Sequence, residues 1–253
     1  MVKGKICIVT GGGSGIGLSV AESFAKEGAT VVLAARTREK LKAAAEQFGC
    51  DYYAADLSER ESNKQLVDYT LEKYGKVDVL INVAGIQHVC PIADFPEDQW
   101  DFMIRLMLTS PFLLTKYVWP SMKEQGWGRI INVNSIHGLV ASEFKAAYVS
   151  AKHGLVGLTK TAGLEGGPLG ITVNSICPAY VRTPLVDNQI DDQARSHGIS
   201  RDEVIEKIML QKSAIKKIIE PEDIADIAKF LCGNAAQFIT GTTITVDGGW
   251  TAS

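Results

Sequence analysis

The chain has 253 residues, 46% of them hydrophobic and 22% charged, with a formal net charge of -3. That balance belongs to a globular protein with a large core, and it excludes a basic nucleic-acid-binding protein or a polybasic membrane-surface protein. Five scattered cysteines, Cys7, Cys50, Cys90, Cys177 and Cys232, show no CxxC spacing, so a disulfide framework and a zinc or other metal site are not expected, and reduced thiols in a cytoplasmic protein are.

The opening segment is too short an apolar run for a secretory or membrane-spanning stretch. It leads into "ICIVT" at 6–10, a strand-like run followed by glycines and then a helical period in "LSVAESFAKEG". The same alternation repeats along the chain. "TVVLAA" at 30–35 precedes the helical "TREKLKAAAEQFG", "DYYAA" at 51–55 precedes a polar helical stretch at 58–75, and "VDVLIN" at 77–82 precedes a long helical stretch at 97–126. "RIINVN" at 129–134 leads to a helix at 148–165, and "ITVNSIC" at 171–177 leads, through a charged segment, to a helix at 221–233 and a last strand at 242–248. Seven strands alternating with helices predict a doubly wound α/β Rossmann fold, with a seven-stranded parallel sheet and helices on both faces. No linker or repeat divides the chain, so residues 1–253 read as one domain. The segment at about 182–217 lies beyond a strand's C-terminal end, and its position predicts a substrate lid.

"TGGGSGIG", Thr10 to Gly17, stands between the first strand and the first helix. A glycine turn in that place lets a pyrophosphate approach the helix N-terminal N–H groups, which predicts a dinucleotide cofactor, NAD or NADP. "AAYVSAKHG" places Tyr148 and Lys152 four positions apart, on one helical face. An ammonium beside a phenol favours the phenolate, so Lys152 is expected to lower the Tyr148 pKa toward neutrality.

The glycine spacing G-x-x-x-G-x-G, "NVAG" at 82–85, "NVNS" ending in Ser135, the Tyr148-x-x-x-Lys152 pair and "CPAYVRTP" at 177–184 follow one another in an order that resembles the short-chain dehydrogenases/reductases over essentially the whole chain. The resemblance implies catalysis by Ser135, Tyr148 and Lys152, with Lys152 also on the nicotinamide ribose. It implies cofactor contacts from Thr10, Gly11, Gly13, Ser14, Gly15, Ile16 and Gly17, from Asp56 and Leu57 near the adenine, and from Asn82, Ala84, Gly85, Pro178, Val181 and Thr183. It also implies a homotetramer formed through the long helices on either side of the fifth strand. Three positions depart from the family pattern: Val83 and Ala179 replace an Asn and a Gly, and Met107 stands where an Asn usually supplies a backbone carbonyl to a water on the proton route. That role rests largely on the main chain, so activity is expected to survive.

Arg36 follows the second strand, where NAD-preferring proteins carry an acid for the ribose hydroxyls. Arginine there suits a 2′-phosphate and NADP. The loops "GIQHVCPIADFP", "SIHGLVASEFKAAY", "TPLVDNQIDDQA" and "DGGWTAS" resemble instead the hydroxybutyrate dehydrogenases within the family, which are similar to NAD users, so both cofactors stay open. This narrower resemblance implies a small hydroxy acid or keto acid substrate, (R)-3-hydroxybutyrate or acetoacetate. Its carboxylate and methyl would meet Gln87, His137, Lys145, Gln189 and Trp250, and its reacting oxygen Ser135 and Tyr148. A reductase for another small carbonyl compound, or a cofactor-binding protein without turnover, are the alternatives.

Overall fold

The computed structural model describes residues 1–252, with only the backbone of Asp192 and Ser196 included; Ser253 lies outside the described residues. Seven strands, β1 (Ile6–Thr10), β2 (Thr30–Ala35), β3 (Asp51–Ala54), β4 (Val79–Asn82), β5 (Gly128–Val133), β6 (Ile171–Pro178) and β7 (Thr243–Val246), form one sheet in the order β3-β2-β1-β4-β5-β6-β7. Every pair is parallel. The strands are rich in Val and Ile because both of their faces are covered. Cys7 and Val9 of β1 pack on one side and Ile8 on the other, and β4 and β5 divide in the same way, with Val79, Ile81, Ile131 and Val133 opposed to Leu80 and Ile130.

One face is covered by α1 (Gly15–Lys26), α2 (Arg38–Phe48) and α9 (Pro221–Cys232), through residues such as Phe24, Leu41 and Leu231. The other is covered by α3 (Arg60–Tyr74), α4 (Glu97–Ile104), α5 (Ser110–Gln125) and α6 (Ala146–Gly166), through Leu66, Met103, Leu114 and Ala151. The stretch expected as a single helix at 97–126 is interrupted by a π turn, Arg105–Thr109, where the Ser110 N–H reaches back to the Arg105 carbonyl. Pro111 lies just after the break and has no N–H to give to the Met107 carbonyl four residues earlier, so that α-helical bond is missing there; Pro120 lacks the same bond farther along α5 without a π turn.

The segment at 182–217 folds into α7 (Pro184–His197) and α8 (Arg201–Val204), the latter continuing into a second π turn, Ile205–Met209. Thr183 caps α7 by accepting from Val186 N at 3.4 Å, and Pro184 opens it. This excursion has a core of its own, made of Val186, Ile190, Val204, Met209, Leu210 and Ile218. Its two ends lie side by side: Val181 and Ile219 form a parallel bridge, Arg182 N donates to Ile219 O at 2.8 Å, and Ile219 N donates to Tyr180 O at 3.1 Å.

Candidate active site

The strand order reverses direction between β1 and β4, so the connections leaving these neighbours diverge and open a cleft at their C-terminal ends. The cleft runs in three joined stretches. The first is flanked by Arg36, Thr37 and Lys40; it shares Gly11, Ser14, Ala84 and Gly85 with the second, where Lys152 lies. The second shares Ile16, Asn134, Tyr148 and Thr183 with the third, which ends at Gln87, Lys145 and Gln189.

The glycine turn is shaped for close approach. Gly15 has φ +53°, and a Cβ there would stand 2.9 Å from Thr183 Cγ2, while a Cβ on Gly17 would collide with the Gly11 carbonyl oxygen. Bare backbone therefore lines the cleft at the N-terminus of α1, which lacks a side-chain cap. Uncapped N–H groups facing a cleft suit a pyrophosphate, so the residues present fit a dinucleotide.

Ser135, at the end of β5, accepts the His137 N–H at 3.1 Å on its Oγ, which fixes the short turn Ile136–Gly138. Asn134 ties this strand end to α6: its Oδ1 accepts Ser135 N at 2.9 Å and its Nδ2 donates to Lys152 O at 3.1 Å. Lys152 is buried, donates from Nζ to Val133 O at 3.0 Å, and is pushed down to about 8 by burial. Tyr148 is half-buried as a whole, but its hydroxyl end is enclosed. Burial pushes that phenol up, with the Ser135 hydroxyl acting in the opposite direction. The expectation that Lys152 lowers Tyr148 is thus not met in the protein alone. The ammonium is turned to the Val133 carbonyl, with Nζ 5.6 Å from the Tyr148 ring centre, and desolvation of the hydroxyl is the largest influence on the phenol.

Four of the five loop residues expected at the substrate's far end converge. Gln189 Nε2 donates to Gln87 Oε1 at 3.4 Å, and Lys145 Nζ lies 3.4 Å from His137 Nε2. Gln87 Nε2 is buried without a hydrogen-bond partner; Nδ1 of His137 is also buried, with the Val140 backbone near it but outside bonding geometry. Burial, then the positive charge of Lys145, pushes His137 down to about 4, so it is neutral at pH 7. Burial likewise lowers Lys145. Two polar atoms without partners and a partly desolvated cation thus stand at this end of the cavity.

Trp250 is placed differently from its expected contact with the substrate methyl. It does not line the cavity; its ring meets the edge of His137 at 6.4 Å and carries Lys212 Nζ on its face at 4.8 Å. Apolar lining comes instead from Ile136, Pro178, Val181, Leu185 and Val186. Thr10, Gly17, Asp56 and Asn82 also fall outside the cleft lining. Thr10 Oγ1 accepts from Val83 N at 2.9 Å and Ala84 N at 3.1 Å, binding β1 to the loop after β4. Asp56 accepts from both the N–H and the hydroxyl of Ser58, at 2.9 and 2.8 Å, and Asn82 donates to Asn132 Oδ1 at 2.8 Å inside the sheet. Gly11, Gly13, Ser14, Gly15, Ile16, Arg36, Leu57, Ala84, Gly85, Pro178, Val181 and Thr183 all line it.

Sequence reasoning passed over Asn134, Thr37 and Lys40. Lys40 is on the first turn of α2, close behind Arg36 in the loop before it. Met107 is buried in the π turn, its sulfur 3.4 Å from where a Cβ on Gly85 would lie, and its carbonyl lacks an α-helical donor because position 111 is proline.

A family model described as enoyl-(acyl carrier protein) reductase matches residues 11–251. The D-beta-hydroxybutyrate dehydrogenase of Rhizobium meliloti is 46% identical over 98% of this chain and 99% of its own length, and that of Cupriavidus necator is 40% identical over the whole of both. The crystal structure of an actinorhodin polyketide ketoreductase with NADPH superimposes with a TM-score of 0.93 at 32% identity, covering 99% of this chain and 98% of the other.

Proposed function

The chain belongs to the short-chain dehydrogenase/reductase family and is an oxidoreductase acting on a CH–OH group, and from that premise we propose that it interconverts (R)-3-hydroxybutyrate and acetoacetate. The supporting observation is the convergence of Gln87, His137, Lys145 and Gln189 within the cavity that also holds Ser135 and Tyr148. Lys145 and the free Gln87 amide N–H take the carboxylate, and the aliphatic wall at Val181 and Val186 takes the methyl end. Ser135 Oγ hydrogen-bonds the reacting oxygen, and Tyr148 removes the hydroxyl proton in oxidation and returns it in reduction. When bound, the nicotinamide cofactor supplies or accepts the hydride. The N–H groups of the glycine turn hold its pyrophosphate, and Lys152 its ribose. The excursion carrying Gln189 closes over the substrate as a lid. Assays on 3-hydroxybutyrate against neutral secondary alcohols of similar size test the assignment; equal preference would reject it.

For the cofactor, the first stretch of the cleft supports NADP. Arg36 and Lys40 stand there without ion-pair partners among the described residues, and no acidic side chain lines it. Arg36→Ala should weaken NADP binding by about 1.5 to 3 kcal/mol and leave NAD nearly unchanged, as titration of each cofactor would measure. Equal weakening of both would mean that the guanidinium contacts the adenine instead.

For assembly, the same reading gives a cytoplasmic homotetramer. An apolar groove between α5 and α6 is lined by Phe112, Trp119, Pro120 and Leu158, and Phe112 is 47% exposed. Of the α6 glycines, Gly154 and Gly163 are occupied within the chain, against Leu108 and Gly241, while Gly157 faces open space. In size-exclusion chromatography the protein should elute near four times the mass of one chain, and Phe112→Glu should shift it to a smaller species. A monomer at micromolar concentration would overturn this.

A further inference from the structure

Phe144 is the one non-glycine residue with positive φ, at 63°, among the described residues. In that region an L side chain crowds the following carbonyl, and a bulky aromatic is a far rarer occupant than Asn or Asp. The ring gains little in return, being 53% exposed, and it makes no ring contact with another aromatic among the described residues. Something next to it must hold the chain in this conformation. We propose that Phe144 is a positioning residue, whose left-handed turn aims Lys145 at the carboxylate end of the cavity and couples it to the loop that carries Gln87.

Three contacts converge on this turn. The Phe144 carbonyl accepts the Cys90 N–H at 2.9 Å, joining the loop before α6 to the loop after β4. The next residue sends its side chain inward, bringing Lys145 Nζ within 3.4 Å of His137 Nε2. The Lys145 carbonyl then accepts from Val149 N at 2.9 Å, opening the helix that carries Tyr148 and Lys152. One reversal of the backbone at Phe144 thus ends the loop, starts the helix and turns a cation into the cavity. Strained backbone persists only where surrounding structure over-determines it, and here the surroundings are the site itself.

The proposal rests on the assignment of Lys145 to the carboxylate, and the test separates the two. Phe144→Gly relieves the crowding but frees the turn, so its melting temperature should be no lower than that of the parent. KM for 3-hydroxybutyrate should rise about tenfold with kcat little changed, because a slightly misplaced binding group costs affinity before chemistry. Turnover of neutral alcohols should be unaffected, and the Cys90 amide should exchange faster with solvent. Phe144→Asn, which tolerates positive φ without glycine's freedom, should restore the parent KM. Parent-like KM and parent-like Cys90 exchange in the glycine variant would overturn the proposal, as would a lower melting temperature, which would show that the ring and not the backbone holds the turn. If Lys145→Ala proves unselective, the carboxylate assignment fails, while melting and Cys90 exchange still report on the turn.

Discussion

Tyr148→Phe should leave cofactor binding intact and lower turnover by about 10²-fold or more, because it removes one hydroxyl from a ring whose position is otherwise preserved. The expectation follows from where the hydroxyl sits. It is the enclosed end of a half-buried side chain, with the Ser135 hydroxyl close enough to favour its ionised form. Cofactor titration and steady-state turnover on the same preparation separate binding from chemistry. Parent-like turnover would remove Tyr148 from the mechanism. The parent enzyme should also show opposite pH trends in the two directions. Burial holds the phenol above its ordinary value, so oxidation, which needs Tyr148 as a base, gains as pH rises, and reduction, which needs its proton, loses.

Lys145→Ala should act on substrate selection and not on the proton step. A charge-assisted hydrogen bond to the carboxylate is worth roughly 1.5 to 3 kcal/mol. That corresponds to about tenfold to over a hundredfold in kcat/KM for 3-hydroxybutyrate. Any slow turnover of a neutral alcohol of the same size should barely change. His137 does not replace the lost charge, since the largest cause that holds its imidazole below the ordinary value is burial, which does not come from the Lys145 ammonium. Equal losses on acids and neutral alcohols would mean that Lys145 supports the start of α6, and the hydroxybutyrate assignment would lose its physical basis. Trp250, which backs His137 and is absent from the cavity wall, should affect the acid through that imidazole.

The strand pattern was legible because the apolar runs of a sheet covered on both faces stand out between polar, glycine-punctuated helices; β1 and β2 fall where the sequence places them, and β5 within one residue. The break at Arg105–Thr109 was hidden by continuing helical periodicity, and proline alone does not mark it, since Pro111 follows the break while Pro120 lies inside unbroken α5. The residue types of the candidate site were legible, but the directions of their side chains were not. Thr10, Asp56 and Asn82 occur in recognisable motifs, yet each turns polar atoms to partners within the protein, Asn82 through its Nδ2 while its buried Oδ1 has no partner. A motif records residue identity and order, whereas hydrogen-bond partners depend on strands distant in sequence. Phe144 left no trace at all, since nothing in a phenylalanine announces a left-handed backbone.

The paired stem at Val181 and Ile219 has a further consequence. Everything between those residues leaves the sheet and returns at one point, carrying its own apolar interior. The stem is one attachment of this insert to the body; Ala214 N and Ile215 N also donate to Gly248 O beyond β7, and Gln189 reaches Gln87. The entropy of closing such a loop grows only slowly with its length. A different insert, longer or shorter, could be grafted on the same stem while β6 and α9 keep their partners. The wall of the cavity that carries Val186 and Gln189 is in this sense an exchangeable part of the molecule, while Gln87, His137 and Lys145 and the proton-transfer residues belong to the body that the insert covers.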